Sequence, residues 1–264
     1  MKVYIDPYTD PKTGVLKNRA NITNQNELDK MEAEYTSFRM KQLTKEPLKG
    51  KFDFERLCKT REKIFGDVFE WAGSPRIINI EKCEEVLGGL SIEYAEYSEI
   101  QQKANSILEK MNAVDWKKLS LDEKVKVLSD NMAELWKVHP FREGNTRTTI
   151  TFCCDFAESK GFGLDRDLFK DNSQYMRNAL VAASAKFSDI GDYSKPNYLY
   201  TIVKDGMERG AELREKQKTV DKDSTMGLSS WRDAVTNSKQ SVNYTGRETA
   251  YSKNQRDEQD NQRI

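Results

Sequence analysis

Apolar residues recur mostly at helical spacing along this chain. In NELDKMEAEYTSFRMKQLTK, Leu28, Met31, Tyr35, Phe38 and Leu43 approximate one stripe, Thr23 or Asn24 can cap its start, and Pro47 and Gly50 end it. FDFERLCKTREKIFGDVFEWAG places Leu57, Ile64, Phe65, Val68, Phe69 and Trp71 on a broad face. That spacing predicts a helix from about Phe54 to Trp71, broken by Gly73, Ser74 and Pro75. The aromatic group Phe65, Phe69 and Trp71 reads as core.

The period then changes. Residues 75–90 carry a β-favouring run of Ile77, Ile78 and Ile80, a charged middle, and a short Val86-Leu87 run before Gly88-Gly89, which predicts a small hairpin. Helical spacing resumes in IEYAEYSEIQQKANSILEKMN. Ser120 and Glu123 form a capping box before LDEKVKVLSDNMAELWKV, a helix that buries Val125, Leu128, Met132, Leu135 and Trp136 and runs into His139, where Pro140 stops it. After the turn HPFREGN, TRTTITFCCDFAESKG predicts a central apolar helix ending at Gly161. Helical segments follow in DRDLFKDNSQYMRNALVAASAKFS and PNYLYTIVKDGMERGAELREKQK.

The resulting organisation is an extended lead-in over residues 1–22, one mainly α domain over 23–215, and a polar tail over 216–264. The tail, rich in Ser, Asn, Gln, Asp, Lys and Arg, is expected to be disordered, with short helical pieces around SSWRDAVTNS forming on a partner. With 264 residues the chain can bury one sizeable core. Its 43 acidic and 43 basic residues cancel, so no global field calls for nucleic acid or a membrane. No apolar stretch reaches bilayer length, and MKVYIDPYTDPKTG has no signal-like apolar region, so a cytoplasmic location is expected. Cys58, Cys83, Cys153 and Cys154 show neither zinc-type pairs nor a disulfide framework, and the adjacent pair is expected to be buried.

The chemistry gathers around the lone histidine, His139, in HPFREGNTRTT. A neutral imidazole can accept a proton near neutral pH. Glu143 offers hard oxygen to a divalent cation, Gly144 and Asn145 permit a tight turn with exposed N–H groups, and Arg147 can grip phosphate with its planar fork. A helix restarting near Thr146 would add its unpaired N–H groups and the positive end of its dipole. These residues point to a nucleotide-phosphate or phosphoester site without choosing the reaction.

The segment HPFREGNTRTTI at residues 139–150 resembles the signature of the Fic/Doc superfamily, His-x-Phe-x-Asp/Glu-Gly-Asn-Gly-Arg-x-x-Arg. Upstream segments, including FGDVFEWAGSPRIINI, extend the resemblance to about residues 15–210. It implies a Fic-type helical bundle with a β-hairpin flap over the active site, and a protein adenylyltransferase that moves AMP from ATP to a Ser, Thr or Tyr hydroxyl of a target protein. On that resemblance His139 is the catalytic base, Phe141 anchors the loop, and Glu143 holds Mg²⁺. Gly144, Asn145, Thr146 and Arg147 bind the phosphates, and Arg76, Ile77, Ile78, Asn79 and Ile80 belong to the flap that docks the target.

Two positions depart from the signature. Thr146 replaces a glycine, so a Cβ and hydroxyl crowd the cradle or add a hydrogen bond, and Ile150 replaces the second arginine, which weakens ATP positioning. The nearest approach to the family's inhibitory motif is Thr201-Ile-Val-Lys-Asp-Gly, with Asp205 one methylene short, which leaves room for a small antitoxin acting in trans. The rival readings are Doc-like transfer of the γ-phosphate and an inactive nucleotide-binding interaction module.

Overall fold

A computed structural model describes residues 6–240, and helices dominate them. Asn24 caps α1 (Gln25–Lys45) by accepting from the Glu27 N–H, and Asp53 caps α2 (Phe54–Phe65) by accepting from the Arg56 N–H. After α3 (Ile100–Ala113) comes α4 (Leu121–Val138), whose start carries the expected reciprocal Ser120–Glu123 capping box. Then come α5 (Asn145–Ser159), α6 (Arg166–Asp171), α7 (Ser173–Ala183) and α8 (Asn197–Gln240). Two short strands, β1 (Lys186–Phe187) and β2 (Gly191–Asp192), pair antiparallel between α7 and α8. No helix of the described residues is long and apolar enough to cross a membrane.

The unit ending at Arg214 is built around α5. Its Phe152, Cys153, Cys154, Phe156 and Ala157 are fully buried, and it packs against α2 and α4. Burying each of the two phenylalanines contributes roughly 1.5–3 kcal/mol. The adjacent cysteines are therefore core residues, and burial raises both thiols well above their usual range. A second apolar cluster joins Leu28 and Leu43 of α1 to Ile64 and Phe65 of α2 and to Val68, Phe69 and Ala72 beyond it.

The mainly α expectation holds, and four local expectations need correction. The hairpin lies at residues 186–192 rather than 75–90. Residues 75–90 instead form an irregular loop with one 3-10 turn at Glu85–Leu87; the Glu84 main chain closes that turn on Leu87, Gly89 and Leu90, while its side chain is held by Arg177 and Tyr94. In α2, helix ends at Phe65 and the chain turns through Gly66, so Val68, Phe69 and Trp71 pack from the turn. A Cβ at Gly66 would sit 2.6 Å from the Glu62 carbonyl oxygen, which explains the glycine there.

On α1, Tyr35 and Phe38 are exposed, and Thr36 takes the buried position between Leu28 and Leu43. Helix also continues past residue 216 to Gln240, where a disordered tail was expected. The stretch from Thr219 to Gln240 has no proline, and extending an existing helix avoids the cost of nucleation. The rest of the expected tail, residues 241–264, lies outside the described residues.

Candidate active site

The C-terminus of α4 delivers His139 in a left-handed conformation, φ 47° and ψ 61°. Its main chain is anchored from outside the motif. Arg76 is buried, its Nε donates to the His139 carbonyl at 2.8 Å, and its own N–H donates to the Pro140 carbonyl at 2.8 Å. Arg76 is therefore a brace under the turn at His139: its guanidinium donates to the carbonyls of His139, Ile78 and Ala95 and its main-chain N–H to Pro140, so these donors face the protein rather than a docking target.

The His139 ring lies against Tyr94, centroids 4.0 Å apart, and edge-on to Trp136 at 5.3 Å. It is 3% exposed, and neither ring nitrogen meets a protein hydrogen-bond partner. Burial, reinforced by the charges of Lys82 and Arg76, pushes the imidazole well below its usual range. It is neutral and has a free lone pair at physiological pH.

The loop after His139 is closed by its own residues. Phe141 is fully buried, and the Asn145 side chain spans the turn: Oδ1 accepts from the Phe141 N–H at 2.9 Å and Nδ2 donates to the Phe141 carbonyl at 2.7 Å. The Asn145 amide thus shapes the cradle from behind rather than facing a phosphate. Gly144, at φ 79°, begins α5 without a side-chain cap, which leaves the first N–H groups of that helix open to an anion. Arg61 of α2 donates to the Glu143 carbonyl at 3.0 Å, and burial pushes it down to about 9, still protonated at neutral pH.

His139, Glu143, Gly144, Asn145, Thr146 and Arg147 line one cavity of about 350 Å³, together with Lys82, Trp136, Ser173, Gln174 and Arg177. Glu143 Oε1 accepts from the Gly144 N–H at 3.0 Å, and Oε2 receives the Lys82 ammonium at 3.1 Å. Burial raises the Glu143 carboxyl, but Lys82, the Gly144 N–H and Arg147 outweigh it, and the group lies below its usual range. Arg147 turns toward α1, where it pairs with Glu32 and donates to Thr36 Oγ1 at 2.9 Å. The flap residues Ile77, Ile78, Asn79 and Ile80 lie outside the cavity lining; Ile77 is 64% exposed, and Asn79 is tied to Glu96 and to the Tyr97 N–H.

A family model described as the Fic/DOC family matches residues 51–157, which contain the loop and the motif. "Protein adenylyltransferase VbhT" of Bartonella schoenbuchensis is 35% identical over 186 residues, 70% of this chain and 37% of that protein. "Probable protein adenylyltransferase y4lH" of Sinorhizobium fredii is 36% identical over 162 residues, 61% of this chain and 79% of that protein. The chain belongs to the Fic/DOC family. Among solved structures, BepC of Bartonella tribocorum with bound AMPPNP superposes with a TM-score of 0.62 at 22% identity, covering 75% of this chain and 95% of that one. That likeness is one of fold.

Within this Fic/DOC chain, several site residues carry no periodic signal. Lys82, Glu84 and Tyr94 come from loops, and Arg177 from α7. Tyr94 donates to Glu84 at 3.1 Å, and Arg177 grips the same carboxylate at 2.6 and 2.9 Å, so the ring under His139 is fixed by a buried acid. Arg61 did leave a trace: it shares the apolar face of α2 with Leu57 and Ile64, where a charge needs partners.

Thr146 also acquires a reason. Its Oγ1 accepts from the buried Trp136 indole N–H at 3.0 Å, so the hydroxyl serves α4 rather than the phosphate cradle. Thr146→Gly should cost about 1–3 kcal/mol by leaving that donor unpaired, and Thr146→Ser should restore most of the loss. Urea denaturation of the two variants checks this, and equal stabilities would refute the role of the hydroxyl.

Proposed function

We propose that this chain is a protein adenylyltransferase, which transfers AMP from ATP to a Ser, Thr or Tyr hydroxyl of a target protein. The observation that carries the reading is a buried, neutral His139 with both nitrogens unpartnered, opening into a cavity that also holds Glu143 and the start of α5. The names of the relatives point the same way.

In this reading the target hydroxyl gives its proton to His139 as its oxygen attacks the α-phosphorus. The bond from that phosphorus to the bridging oxygen breaks, and pyrophosphate leaves. The N–H groups at the head of α5, which no side chain caps, would stabilise the charge that builds on the phosphoryl oxygens. The target segment docks along residues 77–80, where exposed Ile77 offers an apolar contact.

The donor set fits Mg²⁺. Glu143 is a half-buried carboxylate that already holds a cation, the Lys82 ammonium, and no cluster of three or more His, Cys, Asp or Glu able to hold a metal occurs among the described residues. A single protein carboxylate suits an ion that keeps waters and leans on substrate phosphates. Bound there, Mg²⁺ would neutralise charge on the phosphates.

Restraint by a small partner in trans belongs to the same reading. Asp205, the nearest candidate for an inhibitory acid, lies within α8 and accepts from Arg209 at 2.9 Å, which favours an external source for any such acid.

Incubation of the chain with target-containing lysate and ATP labelled at either end should put the α-label on protein, with peptide masses raised by one AMP. Transfer of the γ-label instead would replace this reading with protein phosphorylation.

A further inference from the structure

We infer that Lys82, from the loop over the site, is a further nucleotide-binding residue that moves from Glu143 to the polyphosphate when substrate enters. The inference rests on the cavity being a nucleotide site, as proposed above.

Three cations and one carboxylate line the cavity: Lys82, Arg147 and Arg177 against Glu143. The partners of the two arginines lie outside the lining. Arg147 is held by Glu32 and Thr36 of α1, and Arg177 by the buried Glu84 through two hydrogen bonds. Lys82 differs, because its carboxylate partner is Glu143 itself, the acid placed to meet an incoming metal ion.

The position of Lys82 is set by the chain and its reach is not. Its main-chain N–H donates to Ser91 Oγ at 3.0 Å, which fixes the root of the side chain over the cavity. From there the four-carbon stem carries a compact ammonium whose side chain is 23% exposed. Lys82 would be repelled at close range by a divalent cation held on Glu143, and the polyphosphate would be the anion nearest to it. The lysine then exchanges one oxyanion for another within the cavity that it and Glu143 both line. The exchange gives the loop a stake in nucleotide binding, since Glu84, which orients Tyr94 beneath His139, lies two residues farther along.

Isothermal titration of the full chain with AMPPNP and with AMP, each with Mg²⁺, tests the assignment in wild type, Lys82→Met and Lys82→Arg. Lys82→Met should weaken AMPPNP binding about tenfold or more, the scale of a lost charge-assisted hydrogen bond, and leave AMP within about twofold. Lys82→Arg should retain most of the AMPPNP affinity. Thermal melting of each variant controls for folding.

Unchanged AMPPNP affinity in Lys82→Met, or equal losses for AMPPNP and AMP, would overturn the assignment and leave the transferase reading standing. Absence of AMPPNP binding by wild type would overturn both.

Discussion

His139→Ala is expected to reduce transfer of α-labelled AMP to protein by about 10²–10⁴-fold, the usual share of a positioned general base. The alanine also removes a ring packed between Tyr94 and Trp136, so circular dichroism should accompany the assay. His139→Asn, which tolerates the left-handed backbone at this position, separates loss of the base from loss of the fold. Wild-type transfer by either folded variant would remove His139 from the mechanism.

The same imidazole sets an acid limb. Its folded value lies well below the ordinary 6.5, chiefly because it is buried. The neutral base therefore persists as pH falls through 6.5, and transfer should decline only well below that point. Stability falls in the same direction but from a higher pH: the unfolded chain takes up the proton first, so stability present above about 6.5 is lost progressively as pH falls toward the depressed folded value. A rate profile that breaks at an unshifted imidazole value would contradict this environment.

Gly144→Ala should be the most damaging single-atom change in the motif. A Cβ there would fall within 3.0 Å of three atoms of the Phe65 ring, and the backbone sits at φ 79°. Phe65 is itself fully buried against Phe69, so the ring has little room to retreat. Overpacking and left-handed strain together predict a loss of about 2–4 kcal/mol. Chemical denaturation reads it directly; a variant as stable as wild type would show that the packing of α2 against the loop is looser than the contacts imply. The expected loss also explains why the turn needs glycine irrespective of any ligand.

Helices with strong local signals were legible in the chain. The Ser120–Glu123 box, the stop at Pro140 and the apolar run of α5 are local features, and each appears where its residues predicted. His139 and Glu143 were also legible, because the motif packs them into five consecutive residues and the turn between two helices brings them to one cavity. At residues 75–90 the isoleucines suggest strand pairing, whereas the loop is held in place by Arg177 on Glu84, a partner distant in sequence.

Taken by itself, the sequence determined the mainly helical class, the turn at Gly144 and the identity of the proposed base, since propensity, capping and motif spacing act over a few residues. Only the tertiary structure decided what those residues touch: Arg76 braces the loop, Asn145 closes it, Thr146 answers Trp136, and Arg147 leans on Glu32. The physical reason is burial. A charged or hydrogen-bonding group removed from water must find a partner, and the partner is chosen by packing between elements far apart in the chain.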